Sequence, residues 1–259
     1  MNNNNLGNMG KVIAISNHKG GVGKTTSAIN FGAGLVKAGK KVLLIDFDPQ
    51  TNLTQSLDIS DPENDIYSVL KGEQKPEPIK LLKNFFVIPA VSALSAAEIE
   101  LAAEAGREYI LSEAIADLKA TFDYIIIDCP PSLGLLTINA FTASDEVLIP
   151  MQAEYLALQG IGKMLGLVDK IKKRLNPNLQ ISGIFITQFD SRKVLNRYVF
   201  ETIDSHFGDK VYETKIRNNI ALAEAPNAGQ DIFRYQSTSN GAFDYLQLTK
   251  EYLRREAKS

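Results

Sequence analysis

Short apolar runs rich in β-branched residues recur along the chain, and helix-length segments separate them. Runs of this length and composition are typical of strands that are buried on both faces of a parallel sheet. The predicted strands span residues 12–16, 42–46, 85–88, 124–128, 147–150 and 181–187. The predicted helices span residues 25–37, 96–119, 134–143, 156–174 and 240–257. Strand and helix therefore alternate along most of the chain.

This alternation predicts an α/β fold with right-handed crossovers. The expected architecture is a mostly parallel, twisted sheet with helices on both faces. In such a fold, ligands bind beyond the carboxyl ends of the strands. Residues 58–78 contain three prolines and many charges, which favours an excursion over the surface. The last predicted helix, 240–257, either packs on the core or forms an amphipathic tail that binds membranes.

Hydrophobic residues make up 44% of the 259 positions and charged residues 22%, which is ordinary for a globular protein with a sizeable core. We expect one domain over residues 11–259, because α/β domains often exceed ~150 residues. The asparagine-rich start, residues 1–10, lacks the features of a secretory signal and is expected to be a flexible leader. No apolar run approaches the ~20 residues that span a bilayer.

The formal net charge of −2 gives no global attraction to nucleic acid or anionic lipid, so any such contact needs a local basic patch. The single cysteine, Cys129, excludes an internal disulfide framework and a multi-cysteine zinc or iron–sulfur site within one chain. A reducing, cytoplasmic setting follows from this cysteine usage. We expect Cys129 to be a small buried hydrophobe rather than a redox residue.

A glycine-rich segment connects the first predicted strand directly to the first predicted helix. Its residues are Lys19, Gly20, Gly21, Val22, Gly23, Lys24, Thr25 and Thr26. Glycines let backbone N–H groups converge on phosphate oxygens, and the helix N-terminus adds a favourable dipole. Within such a loop Lys24 reaches the outer phosphates, and the Thr25 hydroxyl is a magnesium ligand. The segment therefore predicts a P-loop that binds ATP together with Mg²⁺.

Three aspartates follow apolar strands at the edge where this loop is expected. Asp46 ends the second predicted strand, Asp48 comes two residues later, and Asp128 ends the fourth. Hydrolysis needs a water in line with the γ-phosphate, and Asp48 is the candidate that orients it. Thr25, Asp46, Asp48 and Asp128 form the predicted magnesium site, in which Asp128 holds the ion, usually through water, and Asp46 supports its shell. Strand-end aspartates can instead cap the following turn, and this alternative stays open.

Lys19 precedes the paired glycines and is not part of the generic P-loop pattern. With it, the loop resembles the KGGxGK[ST] motif of the deviant Walker A ATPases, the ParA/MinD family of P-loop NTPases. The resemblance implies that Lys19 reaches the nucleotide of a dimer partner. It also implies that the D-x-D-P-Q stretch at 46–50 is the first switch, whose second aspartate, Asp48, is essential for hydrolysis. Lys19, Lys24 and Asp48 are thus the expected catalytic residues, although Lys19 alone could be a solvated loop cation.

The resemblance extends from residue 11 onward and is closest to the short chromosomal ParA/Soj proteins. It rests on segments 128–140, 150–159 and 222–226. It implies an ATP-dependent sandwich homodimer that binds DNA without sequence preference, and a ParB-like partner that stimulates hydrolysis and release. Such a switch is expected to be cytoplasmic and nucleoid-associated and to serve chromosome or plasmid partitioning.

Non-specific DNA binding needs cationic side chains grouped on one face. The resemblance places a DNA-contacting arginine at Arg192, and cations near it in sequence or further along extend the candidate patch. The expected DNA contacts are Arg192, Lys193, Arg197, Lys215 and Arg217. A solvated helix start is the alternative explanation for Arg192, Lys193 and Arg197. A further basic cluster at 170–174 is explained as well by a helix end whose cations complement the dipole.

One stretch departs from the family pattern. Relatives read IPRNVRLxEAP where residues 216–226 read IRNNIALAEAP. Ala221 stands where a relative carries a DNA-binding arginine, so the DNA patch is expected to be weaker or shifted. The proline and the asparagine of this stretch contact adenine in the family. Here arginine replaces the proline, so Arg217 and Asn219 are the expected base contacts, with Asn219 the main one.

Two other functions stay open at this point. A MinD-like ATPase uses the same switch at a membrane and needs a C-terminal amphipathic anchor, whereas residues 251–259 are mostly polar. A metabolic P-loop enzyme, such as an ATP-dependent ligase, would need neither Lys19 nor the stretches that resemble the DNA-segregating proteins. A relative that positions a protein cargo cannot be separated from a partitioning ATPase by sequence.

Overall fold

The computed structural model describes residues 9–154 and 157–258, and an eight-stranded sheet forms its frame. The strands are β1 (Lys11–Ile15), β2 (Val42–Asp46), β3 (Ile79–Leu82), β4 (Phe85–Ile88), β5 (Tyr124–Asp128), β6 (Glu146–Gln152), β7 (Gln180–Phe189) and β8 (Val211–Arg217). Their order across the sheet is β3-β4-β2-β5-β1-β6-β7-β8. Neighbouring strands are parallel except β3 and β4, which are antiparallel. The predicted α/β fold with a mostly parallel sheet is confirmed.

Helices cover both faces of the sheet. They are α1 (Lys24–Lys37), α2 (Asn52–Ser56), α3 (Ile66–Leu70), α4 (Leu94–Glu100), α5 (Ile110–Ala114), α6 (Leu135–Ala143), α7 (Ala157–Arg174), α8 (Val194–Phe207), α9 (Ile220–Glu224), α10 (Ile232–Tyr235) and α11 (Asn240–Glu256). Val12 and Ala14 of β1 join a core with α6, α7 and α8, whereas Ile13 and Ile15 join a core with α1 and α11. This two-sided burial explains why the central strands are continuous apolar runs.

The predicted helix over residues 96–119 is wrong, because the chain is broken there into α4, α5 and two 3₁₀ turns. Gly106 lies between α4 and α5 with a φ of 71°, a left-handed conformation that ends helices. The Asn139 side chain of α6 donates to the carbonyl of Arg107 at 2.8 Å and accepts from the N–H of Leu111 at 3.1 Å. Hydrogen bonds to Asn139 of α6, which is distant in sequence, therefore replace the backbone hydrogen bonds of a continuous helix.

Two strands that the apolar pattern does not predict, β3 and β8, lie at opposite edges of the sheet. β3 alternates half-buried with exposed positions, and β8 exposes Glu213 and Arg217. Strands at an edge are less completely covered, so their apolar signal is weaker. The segment 58–78 is also more than a surface excursion, because α3 within it buries Ile66, Val69 and Leu70.

The last helix, α11, packs on the core. Tyr245, Leu248 and Tyr252 of α11 are buried, and the Tyr252 hydroxyl donates to Glu146 of β6 at 2.8 Å. This confirms the core-packing alternative for residues 240–257. Among the helices that the structure describes, none is long and apolar enough to cross a membrane.

Two buried carboxylates of α11 hold the outer strand β8 in place. Glu251 accepts from the N–H groups of Glu213 and Thr214, each at 2.9 Å. Asp244 accepts from the N–H of Arg217 at 2.9 Å. The helix thus supplies hydrogen bonds that a further neighbouring strand would otherwise supply.

The predicted leader over residues 1–10 lies largely outside the described residues. Gly10 is buried, and its N–H donates to the carbonyl of Lys119 at 2.6 Å. An added Cβ at Gly10 would lie 1.9 Å from the carbonyl oxygen of Phe122. The leader prediction is therefore wrong for Gly10, which is built into the fold.

We expect Gly34→Ala to destabilise the fold by about 1–3 kcal/mol, as measured by urea unfolding. Gly34 of α1 faces α11, and an added Cβ would lie 2.2 Å from Thr249 Oγ1. Thr249 is buried, and its hydroxyl donates to the carbonyl of Tyr245 at 2.9 Å, so it cannot move without losing that bond. Gly166→Ala in α7 is the control, because its Cβ would meet nothing within 4 Å. Equal stability of the two variants would contradict close packing of α1 on α11.

Candidate functional site

The glycine-rich loop lies between β1 and α1, at the centre of the sheet. Gly21 and Gly23 have φ values of 75° and 82°, in the left-handed region that favours glycine. Added Cβ atoms at Gly20 and Gly21 would meet nothing within 4 Å, so the loop is open to a ligand on that side. Among the described residues, no group accepts a hydrogen bond from the backbone N–H groups of residues 20–26. Unpaired N–H groups at a helix N-terminus form a binding site for an anion such as phosphate.

Side chains from two neighbouring strands hold the carbonyl groups of this loop. Gln188 of β7 donates to the carbonyl of Gly21 at 2.9 Å, and Gln152 of β6 donates to the same oxygen at 3.2 Å. The Thr187 hydroxyl donates to the carbonyl of Val22 at 2.8 Å. These three contacts fix the carbonyl groups toward β6 and β7, which leaves the N–H groups available to phosphate. No sequence motif predicts them, because the partners lie more than 130 residues away.

Asp128 lies beside the loop, at the end of β5. The strand register aligns Asp128 with Asp46 on one side and with Ile15 on the other. Asp128 is fully buried, and neither of its carboxylate oxygens has a hydrogen-bond partner among the described residues. Burial and the charge of Asp46 raise the pKa of Asp128 well above its usual value, while Thr25 and Lys24 oppose the rise.

A buried carboxylate without a partner is costly unless a cation or a donor satisfies it. The Asp128 carboxylate beside the Thr25 hydroxyl therefore fits hydrated Mg²⁺, which takes one or two protein oxygens together with substrate phosphates. No group of three or more His, Cys, Asp or Glu side chains that could hold a metal is found in the described part of the chain. A magnesium site shared with phosphate does not need such a group.

Asp46 and Asp48 lie on the other side of Asp128, and both are buried. Thr54 donates to Asp46 Oδ2 from its N–H at 2.9 Å and from its hydroxyl at 2.7 Å, and burial raises the pKa of Asp46 to about 6. The N–H of Asp48 donates to Asp46 Oδ1 at 3.3 Å, and Asp48 Oδ1 accepts from the N–H of Gln50 at 2.9 Å. Asp46 thus anchors the segment that carries Asp48, and both remain predicted magnesium or water contacts.

The two lysines of the loop occupy different positions. Lys24 is buried at the start of α1, and its Nζ donates to the carbonyl of Lys19 at 3.4 Å. Lys19 forms an ion pair with Glu154, and both side chains are about half exposed. The Lys24 ammonium group therefore belongs to the loop, whereas the Lys19 ammonium group lies on its outer side.

A cavity of about 240 Å³ adjoins the loop at Gly23 and Thr26. The ends of β7 and β8 and the start of α9 supply its other walls, including Gln188, Arg217 and Asn219. The structure thus brings the two predicted base contacts next to the predicted phosphate site. Asn219 caps α9 by accepting from the N–H of Ala221 at 2.9 Å, and Arg217 forms a two-point contact with Asp244, with its shortest bond at 2.6 Å. Both residues are therefore held in place by their neighbours.

The predicted DNA contacts divide into two groups. Arg192, Lys193 and Arg197 are exposed at the start of α8, and Arg192 pairs with Asp190 at 3.0 Å. Lys215 Nζ lies 3.6 Å from the centre of the Phe200 ring, and burial lowers the pKa of Lys215. Lys215, like Arg217 with its Asp244 partner, is therefore engaged within its own chain.

Ala221, the basic cluster at 170–174 and Cys129 differ in their exposure. Ala221 is 1% exposed, so in this chain its side chain is not part of the surface. The basic side chains of 170–174 are exposed in the last turn of α7, as in a solvated helix end. Cys129 is fully buried, and burial raises the pKa of its thiol. Arg192, Lys193 and Arg197 at the start of α8 are exposed and stay candidates for DNA contact.

Comparison with known proteins gives one consistent result. An AAA domain family matches residues 10–181. The sporulation initiation inhibitor protein Soj of Bacillus subtilis is 49% identical over 250 residues, which cover 94% of this chain and 98% of that protein. The chromosome-partitioning ATPase Soj of Treponema pallidum is 44% identical over 253 residues, covering 96% of this chain and 100% of that protein.

A solved structure of a protein with a different activity is also similar to this chain. Cobyrinic acid a,c-diamide synthase from Mycobacterium smegmatis, with a bound ATP analog and magnesium, is similar with a TM-score of 0.84. It is 34% identical, and the match covers 96% of each chain. Identity is higher, and coverage equally complete, for the Soj relatives. The chain therefore belongs to the Soj/ParA family of chromosome-partitioning ATPases.

Proposed function

We propose that ATP with Mg²⁺ in the glycine-rich loop joins two copies of this partitioning ATPase into a sandwich homodimer, and that hydrolysis separates them. The observation that supports this most is the open loop with unpaired N–H groups, next to a buried Asp128 that lacks a partner. Phosphate and a hydrated cation are the ligands that satisfy both at once.

Each group at the site then has one task. The N–H groups of residues 20–26 and the Lys24 ammonium group bind the phosphates. Thr25 and Asp128 hold Mg²⁺, which when bound neutralises charge that develops on the phosphates. Asp48 orients the attacking water, and Lys19 contacts the nucleotide of the second copy. Arg217 and Asn219 contact the base.

The dimer binds DNA through the cations at the start of α8. Arg192, Lys193 and Arg197 are exposed there; Arg192 pairs with Asp190, and Arg197 donates to the exposed carbonyl of Ser191. Because such contacts go to phosphates, the binding does not depend on DNA sequence. A ParB-like partner stimulates hydrolysis, and the chain works in the cytoplasm on the nucleoid, where it serves chromosome or plasmid partitioning.

We expect the chain to be retained on non-specific DNA with ATP and Mg²⁺, and to be released with ADP or without nucleotide. Two copies bring six of the proposed cations together, so binding should weaken by about three orders of magnitude between 50 and 200 mM salt. Retention on immobilised DNA across nucleotide states and salt concentrations measures both effects.

Arg192→Ala is the test variant and Lys173→Ala, in the last turn of α7, is its control. Arg192→Ala should weaken DNA retention and lower the salt slope by about two, one contact per copy, while dimerisation is unchanged. Equal retention in all nucleotide states would refute the switch. Full retention of Arg192→Ala would move the DNA contact away from α8.

A second candidate function is metabolic, because the similar solved structure is that of a synthase. ATP hydrolysis without DNA retention in any nucleotide state would favour it. A MinD-like membrane function finds less support, since the apolar face of α11 is buried in the core. Binding of the chain to anionic vesicles in place of DNA would reverse that preference.

A further inference from the structure

Gln188 occupies an unusual position at the end of β7. Its amide lies between the glycine-rich loop and the 240 Å³ cavity, which it lines together with Asn219. Its backbone has a φ of 51°, a left-handed conformation that is uncommon for residues other than glycine. Non-glycine residues held in this region cluster at functional sites.

The hydrogen bond to the loop fixes which way the Gln188 amide is turned. The carbonyl oxygen of Gly21 can only accept, so the amide nitrogen of Gln188 faces it, at 2.9 Å. The other end of the amide, Oε1, can only accept. No donor to Oε1 is found within residues 9–154 and 157–258. The wall of the cavity therefore carries a hydrogen-bond acceptor that is available to a ligand.

We propose that Gln188 selects the base of the nucleotide by accepting a hydrogen bond from the 6-amino group of adenine. This rests on the proposed function, in which ATP occupies the loop and its base enters the adjoining cavity. A base with a 6-oxo group presents an acceptor at the same place, so two oxygens would face each other without a hydrogen between them. Gln188 is exposed in this structure, so its selectivity depends on the base covering the amide: a polar group that is covered and left unpaired disfavours the 6-oxo base.

The same amide links base recognition to the phosphate loop. A single planar group donates to Gly21 at one end and accepts from the base at the other, so a correctly placed adenine also orients the loop carbonyl. Gln152 provides a natural comparison. It donates to the same Gly21 oxygen, at 3.2 Å, but it does not line the cavity.

The test compares the dissociation constants of ATP and inosine triphosphate, measured by equilibrium dialysis of the full chain with Mg²⁺. The unmodified chain should prefer ATP by roughly fivefold or more, as expected for one hydrogen bond made or left unpaired. Gln188→Met, which keeps the size of the side chain, should bring this ratio close to one. Gln152→Met should keep the original ratio, because it loses only a contact to the loop.

A third nucleotide, purine riboside triphosphate, has neither group at position 6. Gln188→Met should change its affinity less than that of ATP. An unchanged preference for ATP in Gln188→Met overturns the proposal, and so does an unmodified chain that binds ATP and inosine triphosphate equally. Failure of the unmodified chain to bind any of the three nucleotides would instead overturn the proposed function.

Discussion

Asp48→Ala is expected to slow ATP hydrolysis by roughly 100-fold or more while ATP binding and ATP-dependent dimerisation persist. Asp48 is 6% exposed and follows β2 at the edge of the sheet where the glycine-rich loop opens. Its Oδ1 accepts from the N–H of Gln50 at 2.9 Å, so the turn orients the carboxylate. A carboxylate held in this way can position the attacking water, while other groups of the loop bind the phosphates and determine the affinity for ATP. Single-turnover phosphate release and equilibrium dialysis of ATP measure the two properties separately.

Asp48→Asn distinguishes this role from that of a turn cap. The asparagine side chain keeps an oxygen for the N–H of Gln50, so a residue needed only for the turn should tolerate the change. If Asp48 orients the attacking water, Asp48→Asn should hydrolyse ATP nearly as slowly as Asp48→Ala. Normal turnover by Asp48→Asn would show that the turn alone matters.

Lys19→Gln should raise the dissociation constant of the ATP-bound dimer by at least about 30-fold, the loss expected when one partner of a desolvated charge pair is removed. Lys24 lies inside the loop of its own chain, whereas Lys19 lies on the outer side with Glu154. Affinity of the single chain for ATP should therefore change little. Sedimentation velocity with a non-hydrolysable ATP analogue measures dimerisation, and dialysis at low protein concentration measures nucleotide binding.

Glu154→Gln is the matched variant for this experiment, because it removes the negative charge that pairs with Lys19 and leaves only neutral acceptors, such as Gln152 Oε1 at 3.4 Å. Exposed ion pairs contribute about 0–1 kcal/mol, so releasing Lys19 should strengthen the dimer by no more than roughly fivefold. Dimerisation of Lys19→Gln at the same concentration as the unmodified chain would show that Lys19 is only a solvated loop cation.

The central strands could be predicted from sequence because each is buried on two faces and is apolar throughout. The sequence does not predict elements whose structure depends on contacts with residues far away in the chain. Residues 211–217 mix apolar and charged positions, and β8 forms because Val211, Tyr212 and Ile216 find buried partners. Residues 96–119 have helical spacing, but Gly106 and the side chain of Asn139 divide them.

The phosphate side of the site could be predicted because its residues are contiguous and its chemistry follows from their order. Asp128 could be placed beside the loop because strand ends of a parallel sheet meet at one edge. The base side could not be predicted in full. The proposed contact of Gln188 with the base depends on folding, which brings β7 next to the loop, and no spacing in the sequence relates position 188 to Gly21.

The contacts between α11 and β8 protect the chain against aggregation through its edge strand. An open strand at the margin of a sheet is a template on which another chain can add its own strand, and such growth is hard to reverse. In this chain, the side chains of Glu251 and Asp244 already accept hydrogen bonds from backbone N–H groups of the edge strand β8. The proposed homodimer, which forms and separates with every nucleotide cycle, gains from this protection, since strand addition would compete with reversible pairing at the nucleotide face.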